Sequence, residues 1–188
     1  MKVAIHQPNF CPWLPFFYKM AMADCFVILT SVQFEKGGFQ NRYKTTAGKW
    51  VTKPVQHGLD LLSEKRYADS VSVVDLNMKW IYAIKQTLGI DTRIVFDSGK
   101  QFDDPTEKLI HEVTDVGGDT YLTNPDAHKK YLDEDFMRSI GLKIEYCQVP
   151  KHLQIHVFEA FEKWGIEGTI KQLKGAKCHK QQISSITK

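Results

Sequence analysis

Short apolar runs recur along this chain, each separated from the next by a stretch long enough for one helix, and that alternation restricts the fold more than any other feature. Lys2 to Ile5 reads as a short buried strand. The turn-rich segment HQPNFCPWLP follows and cannot be helix until Pro15 is passed; Phe16 to Ala23 then has helical spacing. Asp24 precedes Cys25 to Leu29, an almost wholly apolar run typical of a strand covered on both faces. A strand–loop–helix–strand unit of this kind is a right-handed crossover in nearly all proteins. Its loop lies at the carboxyl edge of the sheet, where open α/β sheets bind ligands.

The alternation continues downstream. Glu35 to Gly48 is polar and glycine-containing, and Trp50 to Val55 resumes extended structure interrupted by Pro54, so residues 35–55 read as a hairpin excursion from the sheet. A further strand is expected around Val71 to Val74. Asp75 or Asn77 is expected to cap a helix from Met78 to Leu88, with Trp80, Ile81, Ile84 and Leu88 on its apolar side and Gly89 as its stop. Arg93 to Phe96 is a strand, Pro105 opens a helix, and Thr120 to Thr123 is a strand. A short helix follows Asp126, Leu142 to Tyr146 is a strand, and Val157 to Trp164 is a helix stopped by Gly165. The pattern predicts an α/β fold with a mostly parallel sheet and helices on both faces, Rossmann-like and doubly wound. We expect one domain over residues 1–170 and a basic tail over 171–188.

Composition narrows the class. At 188 residues, with 43% hydrophobic and 25% charged residues, the chain has the balance of one globular domain. No apolar run reaches the roughly 20 residues that a membrane helix needs, and no secretory leader is expected after Met1-Lys2. Cys11, Cys25, Cys147 and Cys178 form no C-x-x-C pair, which argues against a zinc ribbon or thioredoxin motif and fits a reduced, cytoplasmic setting. The net charge of +3 is mild, but its distribution is uneven. Lys36 to Lys53 holds five Lys or Arg and no acid, and Lys171 to the end holds five lysines and no acid. Such runs are either solvated surface or a surface that meets phosphates.

His6 stands just past the first strand in a loop stiffened by prolines, and an imidazole there suits general acid or base work; a hydrogen-bonded structural histidine is the alternative. Gln7, Asn9 and Trp13 crowd the same loop, and Gln33 emerges near the end of the second strand. Within Lys36 to Lys44, glycines permit close backbone approach, and Arg42 offers a planar fork for phosphate or carboxylate, unless the segment is only an exposed hairpin. Neither G-x-x-x-x-G-K-[ST] nor G-x-G-x-x-G is present. His152 and His156 are spaced i, i+4 without the Glu or third ligand of a zinc site, so we expect no metal and no cofactor. Cys11 reads as a small buried thiol, Asp103, Asp104, Asp133, Glu134 and Asp135 as acids at helix starts, and Trp80 and Trp164 as core.

The segment IHQPNFCPWLPFFYKMAMADCFVILTSVQF, then QNR at 40–42 and WVTKPV at 50–55, resembles the WbqC-like family. That family's pattern is similar to H-Q-P-x-x-x-P-W, an aromatic-rich helix with Lys, a D-x-F-V strand, V-Q-F, N-R and W-x-T-x-P-V. TRIVFDS and GGDTYLTNPDAHKKYLDEDFMRSIGLKIEY resemble its later blocks, leaving the last thirty residues unassigned. Matching positions are His6, Gln7, Pro8, Trp13, Lys19, Asp24, Gln33, Asn41, Arg42 and Pro54. Where the family has an acidic pair just before V-Q-F, Thr30 and Ser31 stand here.

The resemblance implies enzymes found among surface-polysaccharide genes and in phage pathways that decorate thymine in DNA, both settings in which an amine is joined to an activated acceptor. Together with the basic segments, it leads us to expect a transferase joining a glycine-like amino acid to a phosphate-activated hydroxymethyl-pyrimidine in double-stranded DNA. The alternatives are modification of a nucleotide-linked amino sugar, or a non-catalytic ligand-binding module. In this scheme His6 accepts a proton, Gln33 and Asn41 orient the acceptor, and Arg42 with Lys36 or Lys44 holds the leaving phosphate. Gln7, Asn9, Trp13, Lys19 and Lys53 complete the acceptor contacts. Phe10, Phe39, Lys174, Lys177 and Lys180 meet the nucleic acid. The scheme requires His6 and Arg42 to face a common cavity at one rim of the sheet.

Overall fold

The computed structural model describes the backbone of residues 1–45, 47–129 and 131–186, and the side chains of these residues apart from His128 and 176–186. In chain order the elements are β1 (Lys2–His6), α1 (Leu14–Ala21), β2 (Cys25–Ile28), β3 (Arg42–Lys44), β4 (Trp50–Thr52), α2 (Val73–Thr87), β5 (Arg93–Phe96), α3 (Pro105–Asp115), β6 (Thr120–Thr123), α4 (Glu134–Ser139), β7 (Lys143–Tyr146) and α5 (Val157–Ile186). Five strands form one sheet in the order β5-β2-β1-β6-β7, and every pairing in it is parallel. The chain winds outward from β1 through β2 to β5, then returns to the other side of β1 for β6 and β7. This is the doubly wound, Rossmann-like arrangement, and its direction reverses between β1 and β6.

Period-two alternation assigns each strand residue to one of two cores. Ala4, Phe26, Ile28 and Leu122 pack with α1, α2 and α5 through Phe17, Met20, Ile81 and Val157. Val3, Ile5, Cys25, Val27 and Tyr121 pack with α3 and α4 through Leu109, Val113 and Met137. Strands buried on both faces read as continuous apolar runs, which is why β1 and β2 were legible. The expected excursion over 35–55 is present, with β3 and β4 antiparallel and Tyr43 opposite Val51.

Several local expectations are corrected. Val71 to Val74 is not a strand: Ser72 caps α2, its hydroxyl accepting the Asp75 N–H at 3.2 Å, and Val73 and Val74 begin the helix with their side chains in the core. Helix α1 takes Pro15 into its first turn, where a missing N–H costs nothing. Trp80 is 38% exposed instead of buried, its ring edge-on to Phe158. Gly165, at φ 68°, interrupts α5 as expected, but helix resumes beyond it to Ile186 and Leu173 is buried. Asp104 and Asp133 cap α3 and α4. Among the described residues no helix is long and apolar enough to cross a membrane.

Candidate active site

A cavity of about 850 Å³ opens at the carboxyl edge of the sheet. His6 at the end of β1, Leu29 past β2 and Asn124 past β6 contribute to its wall, which places it at the reversal in strand order. The proline-rich loop after β1 supplies Gln7, Asn9, Phe10 and Trp13, and α1 supplies Phe16 and Lys19. Gly37, Gly38, Phe39, Tyr43 and Lys44 of the excursion form the rim.

The half-buried His6 ring hydrogen-bonds through Nδ1 to the Gln7 carbonyl oxygen at 2.9 Å. A carbonyl only accepts, so this contact assigns the proton to Nδ1 and leaves the Nε2 lone pair open. Burial, and secondly the charge of Lys19, lower the His6 pKa to about 4 against the opposing pull of the Gln7 carbonyl, so the ring is neutral at pH 7. Lys19 is buried, donates to the Ile5 carbonyl at 3.1 Å, and has its pKa lowered by burial to about 8. Gln7 Oε1 accepts from Gln40 Nε2 at 2.5 Å, and the Trp13 indole donates to the Lys44 carbonyl at 2.9 Å, so both rim and loop are pinned.

The structure therefore brings His6, Gln7, Asn9, Phe10, Trp13, Lys19, Phe39 and Lys44 to one cavity. Other expected site residues lie outside its wall. Arg42 is the main correction: its guanidinium lies 4.1 Å from the Trp50 ring centroid and donates from Nε and Nη2 to the carbonyls of Gly38 and Gly37, so it faces its own turn and lies outside the cavity wall. The Asn41 amide donates to the Lys53 carbonyl at 3.0 Å across the hairpin, outside the cavity wall. Lys53 pairs with Asp69 at 2.7 Å. Gln33 is exposed and bridges backbone-wise to Leu61, while Lys36 and Lys174 are exposed away from the wall. The side chains of Lys177 and Lys180 lie outside the described residues.

Sequence reasoning passed over Glu35, Tyr43, Lys108, Tyr121, Asn124 and Tyr131, all of which line the cavity. Lys108 Nζ bonds Ser31 Oγ and the Lys100 carbonyl, each at 3.0 Å, and lies 3.5 Å from Asp97 and 3.8 Å from Glu112. Asp97 follows β5 and accepts from the N–H and hydroxyl groups of both Thr30 and Ser31. Burial pushes this carboxyl upward, but those hydrogen bonds outweigh it and hold the pKa below the ordinary value. An acid from the neighbouring strand thus stands beside the doublet at 30–31. The only signal for it was Asp97 one residue beyond a strand in register with β2.

Cys11 is buried with its pKa raised by burial to about 11, so it holds no thiolate at neutral pH. His156 donates from Nε2 to the Cys11 carbonyl at 3.1 Å, and among the described residues no three His, Cys, Asp or Glu converge as a metal site.

The Uncharacterized protein Rv1507c of Mycobacterium tuberculosis (strain ATCC 25618 / H37Rv) is 26% identical over an alignment 188 positions long that covers 77% of this chain and 81% of that relative. No solved structure matches. The model of the WbqC-like protein family matches residues 7–69 and 56–164, which hold β2 to β7 and the cavity wall apart from Ile5 and His6, and the chain belongs to that family.

Proposed function

We propose that this protein is a group transferase that joins the amine of a glycine-like amino acid to a phosphate-activated hydroxymethyl-pyrimidine in DNA. The observation that carries the reading is a neutral imidazole with an open Nε2 beside a buried, sparsely partnered lysine in one cavity. In the reaction the neutral amine nitrogen attacks the methylene carbon, the carbon–oxygen bond breaks, and phosphate departs with the bonding pair. His6 Nε2 takes the proton released by the nitrogen. Lys19 and Lys44, in place of Arg42, hold the phosphate. Its negative charge offsets that of Lys19 and raises the basicity of His6 as substrate binds. Exposed Phe39 and Trp50, with Lys36, Lys44 and Lys49 around them, support a nucleic-acid rim on which an extruded base stacks.

The test is turnover of duplex DNA carrying 5-phosphomethyl-deoxyuridine with labelled glycine, scored as label in DNA and released phosphate. His6→Ala should cost on the order of 100-fold or more in kcat; undiminished turnover would remove His6 from the scheme. A second reading, a nucleotide-linked amino sugar as acceptor, is favoured by the cavity volume, which suits a whole small-molecule substrate. Binding of duplex that falls steeply with salt supports DNA, because counterion release scales with phosphate contacts.

A further inference from the structure

The cavity straddles the edge of the sheet, and its two halves differ in charge. On the side of α1 and the excursion the wall carries His6, Lys19, Glu35 and Lys44. On the side of α3 it is built on Leu29, Leu109 and Tyr121, which belong to the other core. Among the described residues the one charged group of that half is Lys108, whose ammonium is already matched by Asp97, Glu112, Ser31 and the Lys100 carbonyl. A half with an apolar floor and a balanced charge suits a neutral part of a substrate.

Two further wall residues of this half are pinned by their backbones. Asn124 is the first residue past β6, and its carbonyl accepts the Ala127 N–H at 3.1 Å. Its exposed side-chain amide has no hydrogen-bond partner among the described residues. The Tyr131 N–H donates to the Ala127 carbonyl at 3.1 Å, and its own carbonyl accepts from the Thr106 hydroxyl of α3 at 3.2 Å. With that backbone held, the Tyr131 ring is 40% exposed on the wall, a stacking surface that costs little to order. The Asn124 amide sets one donor beside one acceptor in a single plane, the complement of a base edge on which an N–H stands next to a carbonyl. A sugar ring points its hydroxyls in several directions and offers no such planar pair.

We propose that the α3 side of the cavity is a base-binding lobe, in which Tyr131 stacks on the pyrimidine ring of the acceptor and the Asn124 amide pairs with its N3–H and an adjacent carbonyl. The proposal rests on the transfer reading above in taking the base to be a pyrimidine. It adds where that base comes to rest after passing the rim of Phe39 and Trp50, and which residue reads its edge. The 5-substituent then extends across the end of β1 toward His6 and Lys19, on the charged side. A base extruded from DNA and the base of a nucleotide-linked sugar present the same ring and edge to this lobe.

The test is an NMR titration of the isotope-labelled full chain with thymidine and with 3-methylthymidine, two uncharged nucleosides that differ only at the N3 edge. Thymidine should give saturable shifts at Tyr121, Tyr131 and the Asn124 side-chain amide, and 3-methylthymidine should bind about 10-fold more weakly or worse. Asn124→Ala should bind the two alike, a loss of discrimination that a general loss of structure does not produce. Tyr131→Ala should weaken both, and Tyr131→Phe should restore them. Equal affinity for the two nucleosides in the unaltered chain overturns the proposal. So does discrimination that survives in Asn124→Ala, or shifts confined to the rim at residues 36–50. Duplex DNA carrying 5-phosphomethyl-deoxyuridine should displace thymidine where an unmodified duplex does not. If thymidine binds as expected but neither displacement nor labelled DNA product is seen, the lobe stands for a free nucleotide and the transfer reading fails. Product formation by Asn124→Ala at the wild-type KM for DNA fails the lobe alone.

Discussion

Lys19 on α1 and Lys108 on α3 reach the same cavity from helices packed on opposite faces of the sheet, yet their surroundings differ. Lys19 has one carbonyl at 3.1 Å, and among the described residues no carboxylate lies within ion-pair distance. Lys108 sits among a hydroxyl, a carbonyl and the carboxylates of Asp97 and Glu112. A lysine whose donors and charge are already matched braces the wall. One that is buried with a single acceptor stays electrostatically unsettled and available to an anion. The same accounting separates His6, with an open Nε2 in the cavity, from Arg42, which turns Nε and Nη2 to the carbonyls of Gly38 and Gly37.

That contrast can be broken most directly by removing each ammonium. Lys108→Met removes the cation between two buried carboxylates, leaving their charge uncompensated although their hydrogen bonds remain, and should cost about 3 kcal/mol, read as a fall in the urea midpoint. Lys19→Met removes a desolvated charge and one hydrogen bond, and should shift stability by less than about 1.5 kcal/mol. Equal losses would dissolve the distinction.

Acid unfolding sharpens it further. The folded pKa of His6, about 4, lies below its unfolded value of about 6.5, so the unfolded chain binds this proton first as the pH falls. The His6 contribution is complete above pH 6.5 and drains away between there and about pH 4. Asp97 also has a folded pKa below its unfolded one, so its contribution is present above the ordinary carboxylate pKa and is lost only at lower pH, as the folded value is passed. Midpoints measured from pH 7 to 3 should therefore fall in two limbs, and His6→Gln should flatten the upper limb only. The smallest expected effect is a rise of the His6 pKa in Lys19→Met, followed through the imidazole resonances. Because burial is the larger cause, the value should stay below 6.5.

Legibility followed how local each determinant was. The sheet was readable because strands covered on both faces carry apolar runs, and the helices between them carry their own spacing and caps. Val71 to Val74 was misread because β-branched residues resemble a strand until Ser72 engages the Asp75 N–H. His6, Gln7 and Lys19 were found because one loop and one helix deliver them from a single crossover unit. Glu35 and Lys108 were missed because nothing local marks them: the one becomes a wall residue when the excursion folds over the loop, and the other only when α3 packs below Ser31 and Asp97.

The amino-acid sequence by itself determined the alternation of strands and helices, the doubly wound sheet and the loop at its carboxyl edge, since periodicity and chain stiffness act over a few residues. Only the tertiary structure decided which polar groups remain available there. Whether a guanidinium, amide or ammonium is spent depends on carbonyls and carboxylates brought up from distant segments, and burial makes each unmatched group count.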